Sequence, residues 1–364
     1  MSSHSDPGFV TVPLSAIKGR GSATQLPHRF EKDSRDAFDD GWDHDPHTTA
    51  PLVTRWRWED CQSAITRNRS PDIGFDLSVN PYRGCEHGCS YCYARPSHSY
   101  LGLSPGLDFE TQLIAKRGLR ERLIHELDLG HYRPGLMALG TVTDGWQPLE
   151  RELRLSREVL QVLHDCRHPV AMVTKGSGIE RDIDLLAPMA AQGLAGVYVT
   201  VTTLDAELAR RMEPRAPAPW RRLRTIRALA QAGIPVGVSV SPQIPFLNDD
   251  MEQVLQAARD AGARSAFYVM LRLPWELAPL FREWLQLHYP ERAARVMARM
   301  HDLRGGKDYD ARFATRRTGQ GLWADLVAQR FAKACQRLGL NRERHVWRTD
   351  LFRSPSPVRQ MGLF

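Results

Sequence analysis

Residues 83–95 read RGCEHGCSYCYAR. Half of the chain's six cysteines, Cys85, Cys89 and Cys92, fall within eight positions spaced C-x3-C-x2-C, with aromatic and basic residues directly after them. A structural zinc centre takes four ligands, usually as two separated pairs, and no second pair follows here. Cys61, His87 and His98 are the side chains that could complete such a set, but His87 lies inside the triplet, where a short loop hardly brings it to the same ion. An ordinary iron–sulfur cubane also takes four thiolates. Three thiolates on four irons leave one iron without a protein ligand and able to bind something else.

Working outward from the cysteines, the text beyond Leu136 alternates short apolar runs with amphipathic stretches. The runs are LMALGTVT (136–143), PVAMVTK (169–175), AGVYVTVTT (195–203), IPVGVSVS (234–241) and SAFYVMLRL (265–273), with starts 33, 26, 39 and 31 residues apart. That spacing holds a strand, a crossover helix and two loops, so five buried parallel strands are expected. A sixth, FDLSVNPY (75–82), precedes the cysteines and is limited by Pro81. Between the strands, Leu155, Val159, Val162 and Leu163 form one helical stripe and Leu223, Ile226 and Ala230 another. The expected fold class is α/β, a partial (β/α)6 TIM-type barrel with a polar N-terminal tail and C-terminal helices, whose chemistry gathers at the C-terminal strand ends. Residues 1–55 read as a disordered polar tail, 56–275 as the barrel and 276–364 as a helical extension. The last helix of that extension carries Trp323, Val327, Phe331, Ala334 and Leu338 on one face.

The C-x3-C-x-Φ-C pattern, with Tyr91 in the aromatic position, resembles the cluster loop of radical S-adenosylmethionine (radical SAM) enzymes. GTVTDGWQPLE (140–150) and MVTKGSGIERDIDLL (172–186) are similar to the group within that superfamily that includes spore photoproduct lyase. The resemblance implies a [4Fe-4S] cluster on Cys85, Cys89 and Cys92, with S-adenosylmethionine on the open iron. It further implies cleavage to a 5′-deoxyadenosyl radical, driven by an external electron donor such as flavodoxin or ferredoxin, acting on an unknown substrate. Tyr91 then belongs to the cofactor-binding set. Thr143 and Asp144 lie near the methionine amino group, unless they merely start the turn before the next helix. Lys175 pairs with the cofactor carboxylate, Ser177 adds a hydroxyl, and Thr202 and Ser239, with Thr200 and Ser241, turn hydroxyls into the barrel. Glu213, Arg215, Arg221 and Arg222 form a charged loop at the mouth that could hold ribose, carboxylate or phosphate. No residue is assigned to catalysis. The cysteine that returns a hydrogen atom in the spore enzyme falls at Val142 here, which argues against DNA photoproduct repair by the same route. Cys166, Tyr93 or returned 5′-deoxyadenosine stay open as donors.

Lys and Arg total 49 against 42 Asp and Glu, a net charge of +7 that mildly favours an acidic partner. With the RWRW stretch (55–58), it makes nucleic-acid repair or modification the first alternative function, and core packing the competing role for Trp56 and Trp58. A non-catalytic, zinc-bearing nucleic-acid binder is the alternative from another class. No apolar run reaches membrane-spanning length and MSSHSDPGFVTVPLS carries no signal pattern, so a cytoplasmic protein without a membrane partner is expected. A reducing compartment also argues against disulfides. Cys61, Cys166 and Cys335 stand alone and read as ordinary thiols.

Overall fold

The computed structural model describes residues 15–31 and 52–355. Its strands are β1 (Arg55–Asp60), β2 (Thr66–Arg67), β3 (Leu77–Val79), β4 (Tyr82–Arg83), β5 (Gln112–Arg117), β6 (Met137–Leu139), β7 (Val170–Thr174), β8 (Ala195–Thr200), β9 (Val236–Ser239) and β10 (Ser265–Phe267). The main sheet runs β10-β9-β8-β7-β6-β3-β2. Its six strands from β3 to β10 are parallel and lie in chain order, and β2 pairs antiparallel at the β3 edge. All six apolar runs are therefore strands of one mixed α/β sheet. The sheet is open: among the described residues no backbone pairing joins β10 to β2.

Several strands are shorter than their apolar runs, and β6 shows why. Gly140 adopts φ +88°, and a Cβ there would stand 2.5 Å from the carbonyl oxygen of Val173, so the chain leaves the sheet after Leu139. Helix Leu155–Asp165 buries Leu155, Val159, Val162 and Leu163, the expected stripe, together with Ser156 and Leu160. On helix Pro219–Gln231 the buried face is Arg222, Thr225, Ile226 and Leu229, so a guanidinium and a hydroxyl replace part of the apolar stripe. Helices Leu277–His288, Pro290–Leu303 and Leu322–Leu338 follow the last strand. No helix among the described residues is long and apolar enough to cross a membrane.

A second sheet of order β1-β5-β4 went unread in the sequence. The RWRW stretch is its outer strand, parallel to β5. Trp56 packs on the cluster of Tyr82, Leu113, Ala115, Leu149 and Leu155, and Trp58 lies edge-on to it at 5.2 Å with Arg117 over its ring. Packing thus accounts for Trp56.

The expected disordered tail is corrected where it can be seen. Residues 1–14 and 32–51 lie outside the described residues, but segment 15–31 is tied to the body. Thr24 donates to Glu283 at 2.7 Å, Gln25 to Asp108 at 2.9 Å, and Arg29 pairs with Glu276 at 2.8 Å. Polar composition suggested a solvated chain; buried carboxylates elsewhere in the fold capture it.

At the N-terminal end of β7, His168 is fully buried. Its Nε2 faces the Tyr132 hydroxyl at 2.6 Å and its Nδ1 the Pro169 carbonyl at 3.0 Å, so the neutral ring is satisfied on both nitrogens. Burial lowers its pKa to about 4, and the same cause brings His98 to about 4. An unfolded histidine titrates near ~6.5, so between that pH and about 4 the unfolded chain binds more protons and stability falls as pH falls. Thermal unfolding followed from pH 7 to pH 4 should show this loss of Tm. His168→Gln should make the curve shallower over that window, and an unchanged slope would count against the assignment.

Candidate functional site

The cysteine loop runs between β4 and the short turn Arg95–Leu101, and polar contacts fix it along its length. Cys85 N–H donates to the Phe109 carbonyl at 2.9 Å and Ser90 N–H to that of Met212 at 3.0 Å. The Gln147 side chain accepts from Glu86 N–H at 2.8 Å and donates to the Gly84 carbonyl at 3.3 Å. Arg95, fully buried, sends Nε to the Cys89 carbonyl, Nη2 to the Gly88 carbonyl and Nη1 to those of Pro105 and Gly106. Nη2 also pairs with Glu110 at 2.9 Å. The two Glu110 oxygens accept from Gly21 and Ser22 N–H at 3.0 Å each. A Cβ on Gly21 would overlap the Gly88 carbonyl oxygen, so only glycine permits that approach.

Cys85 and Cys89 are buried and Cys92 half-buried, all as free thiols. Burial pushes the Cys85 thiol well up, and the charges of Asp144, Cys89 and Cys92 add to it. Burial likewise raises Cys89 to about 12, against the pull of Lys175. Among the described residues no three His, Cys, Asp or Glu side chains converge on a single metal ion. Three thiols on one rigid loop, close enough to feel each other's charge, fit the donor chemistry of an iron–sulfur cluster better than that of one zinc ion.

The structure brings most of the expected residues to the C-terminal strand ends, in roles that differ. Asp144 is saturated. One oxygen accepts from Thr174 hydroxyl at 2.6 Å and Trp146 N–H at 2.9 Å, the other from Lys175 N–H at 2.7 Å, with His87 Nδ1 at 3.3 Å. Burial opposes its charge, but His87 and these donors hold its carboxyl well below the usual range. It clasps the ends of β6 and β7 and has no lone pair to spare. Thr143 is buried and donates to the Tyr82 carbonyl at 3.2 Å. Tyr91 donates to Glu213, which also accepts from Thr202 at 2.6 Å and pairs with the buried Arg222. Burial works against the Glu213 charge, yet Arg222 and Lys175 lower its pKa to about 2. Glu213 and Arg222 are thus an internal pair, and Arg221 is taken by Glu180, which corrects the picture of a free charged loop. Arg215 pairs with Glu86 of the cysteine loop at 3.0 Å.

Lys175 follows β7, and its ammonium stands 5.5 Å from the centre of the Tyr91 ring. Burial opposes its charge, but Cys89 and Glu213 outweigh it and raise its pKa. Ser177 lines a cleft of ≈310 Å³ with His87, Trp146, Gly176, Gly178 and Arg215. Ser239 ends β9, buried, in register with Thr200 of β8. Val142 is 42% exposed and bonded through its N–H to Asn80. Cys166 caps helix Leu155–Asp165 ahead of β7, at the opposite end of the strands, and is corrected as a hydrogen-donor candidate by that position. Arg95 and Glu110 were missed; the only signal was a basic residue directly after the cysteine run.

The Radical SAM superfamily model matches residues 79–258. An uncharacterised protein of Mycobacterium tuberculosis is 36% identical over 241 residues, 65% of this chain and 70% of the relative. One of Methanocaldococcus jannaschii is 25% identical over 218 residues, 60% of this chain and 78% of the relative. Spore photoproduct lyase in complex with dinucleoside spore photoproduct superposes with a TM-score of 0.51 at 13% identity, covering 78% of each chain, a likeness of fold. The chain belongs to the radical SAM superfamily and is an enzyme.

Glu110→Gln keeps the shape of the side chain and removes the charge that compensates Arg95. Breaking a buried pair on one side costs about 3–5 kcal/mol, so denaturant unfolding should show a loss of that order. Arg83→Gln, whose Glu59 partner pairs with it at the surface, should cost less than about 1 kcal/mol.

Proposed function

We propose that this enzyme holds a [4Fe-4S] cluster on Cys85, Cys89 and Cys92 and binds S-adenosylmethionine over the C-terminal ends of β6 to β9. Once bound, the pair supplies reductive cleavage of the sulfonium to methionine and a 5′-deoxyadenosyl radical, which acts on a substrate still to be identified. The observation that supports this is Lys175. Its ammonium lies beside the cysteine loop and, among the described residues, no side-chain or carbonyl oxygen pairs with it, whereas the neighbouring Glu213 and Asp144 are fully engaged. An unneutralised ammonium there suits the cofactor's carboxylate, and Ser177 in the adjoining Gly176-Ser177-Gly178 turn suits a further hydrogen bond. Asp144 acts by positioning: it sets the main chain of Lys175 and leans on His87 within the loop. Tyr91 and Thr202 act through Glu213, holding the loop wall against β8. Thr143 braces the loop through Tyr82, and Ser239 presents its hydroxyl at the end of β9.

Residues 56–275 are assigned to a core curved as a partial barrel, 276–364 to a helical extension and 1–55 to an N-terminal segment. The electron comes from an external one-electron carrier of the flavodoxin or ferredoxin type, which places the enzyme in the cytoplasm. Protein reconstituted without oxygen should hold near four irons with matching sulfide and, with reductant and S-adenosylmethionine, should form 5′-deoxyadenosine. Cys89→Ala should lose the visible absorption and the product together. Lys175→Met should keep the iron and raise the KM for S-adenosylmethionine by ten-fold or more, about 1.4 kcal/mol. One zinc in place of iron, or equal product from the Cys89 variant, would end the proposal.

A further inference from the structure

Two guanidinium groups stand at the mouth of the strand ends without a carboxylate to neutralise them. Arg272 follows β10, and its guanidinium lies over the ring of Tyr93, next to Cys92, at 5.1 Å and over that of Tyr309 at 5.9 Å. Its one hydrogen bond goes to the Tyr309 hydroxyl at 3.2 Å, and its Nε is buried with no partner. Arg317 donates to the main-chain carbonyl of Asp72, whose carboxylate is already held by Arg316 at 2.5 Å. Among the described residues neither Arg272 nor Arg317 forms a salt bridge. Burial lowers the pKa of Arg317; the Asp72 charge acts against that shift, and the charge of the nearby Arg272 adds to it.

The placement is built into the fold. Arg304, fully buried, donates to the carbonyls of Leu271, Thr315 and Arg316 at 2.6, 2.8 and 3.0 Å. Met270 N–H donates to the Arg317 carbonyl at 2.8 Å. The residue before each arginine, and the carbonyl of Arg317 itself, are therefore pinned, and the like charges are held near each other at a cost that a stability argument alone does not repay. Such an arrangement is repaid when an anion enters. Tyr93, which follows Cys92, is 48% exposed, carries Arg272 on its ring and donates its hydroxyl to the Thr141 carbonyl.

Resting on the function proposed above, we infer that Arg272 and Arg317 clamp a phosphate ester of the substrate, with Tyr93 as the platform for an attached base, which makes the substrate a nucleotide or single-stranded nucleic acid. Two guanidinium forks match the several oxygens of a phosphate better than a single carboxylate, since Lys175 already meets the cofactor's carboxylate. Aromatic faces beside arginines are also the pattern that holds unpaired bases.

The test uses the reconstituted full chain and a fluorescent oligothymidylate, read by anisotropy across a salt series. The Arg272→Gln/Arg317→Gln double variant should bind at least ten-fold more weakly, and the slope of log K against log salt should flatten by about 0.7, the share of one neutralised phosphate on a single strand. Inorganic phosphate should displace the probe from the native chain, and a polyglutamate peptide of equal length should compete poorly. Equal binding by the double variant, or polyglutamate competing as well as the oligonucleotide, overturns the inference. Iron content and 5′-deoxyadenosine formation by the native chain, taken on the same preparation, report separately on the cluster proposal. A double variant that fails to fold leaves the competition on the native chain to decide.

Discussion

The buried pair of Arg95 and Glu110 sets the shape of the cysteine loop. Both side chains are wholly excluded from water, where an isolated charge would be costly by several kcal/mol. That cost is met by hydrogen bonding: each of the five Arg95 N–H groups has a carbonyl or carboxylate in reach, and Glu110 accepts two main-chain N–H groups besides. The targets are the informative part. Gly88 and Cys89 carbonyls are drawn to one guanidinium, so the backbone carrying the thiols is arranged by the protein itself. Residues 15–31 are ordered for the same reason, since Gly21 and Ser22 complete the Glu110 coordination.

A second buried pair, Glu213 with Arg222, fastens the other side. Tyr91 reaches Glu213 from the loop, Thr202 reaches it from the end of β8, and Arg222 comes from the helix that follows. The cysteine loop is thereby fastened to the unit that follows β8. The Glu213–Arg222 pair is internally neutral and Asp144 is engaged by Thr174, Trp146 and Lys175 donors, so among the described residues the Lys175 ammonium is left with no direct ion pair. On the function proposed above, that ammonium is what would meet an entering carboxylate.

The strands were legible because parallel strands buried on both faces must be nearly all apolar, and six such runs at crossover spacing leave few other folds. The three cysteines were legible because their spacing is local. Asp144 was placed at the right strand end, yet its partners come from Trp146, Thr174, Lys175 and His87, and only the folded chain shows that its oxygens are spent. Within the expected tail, segment 15–31 was misjudged because Gly21 and Ser22 bond through main-chain N–H groups, which composition does not report. Arg222 was read as part of an open charged loop and not as a buried member of an expected helix, since periodicity marks apolar faces and a buried guanidinium breaks the stripe. The β1-β5-β4 sheet escaped because β1 is largely exposed, β4 is only two residues long, and QLIAKR (112–117) mixes charge with its apolar core.

The open sheet has a consequence for the mouth above it. Its backbone pairing stops at β10 and β2, but the connection between β2 and β3 carries Asp72, and the chain that pairs with Met270 beyond β10 carries Arg316 and Arg317. Arg316 binds the Asp72 carboxylate through two nitrogens, at 2.6 and 2.5 Å, and Arg317 takes the Asp72 carbonyl. Side chains, not strands, thus span the gap between the sheet's two edges. A backbone closure would have fixed the opening as a uniform wall of hydrogen bonds. A closure by arginines instead leaves cationic groups lining the way in, with Arg316 on the Asp72 carboxylate and Arg317 on the carbonyl of the same residue. The same contact that joins the ends of the fold therefore places at its entrance a guanidinium that, among the described residues, has no direct ion pair.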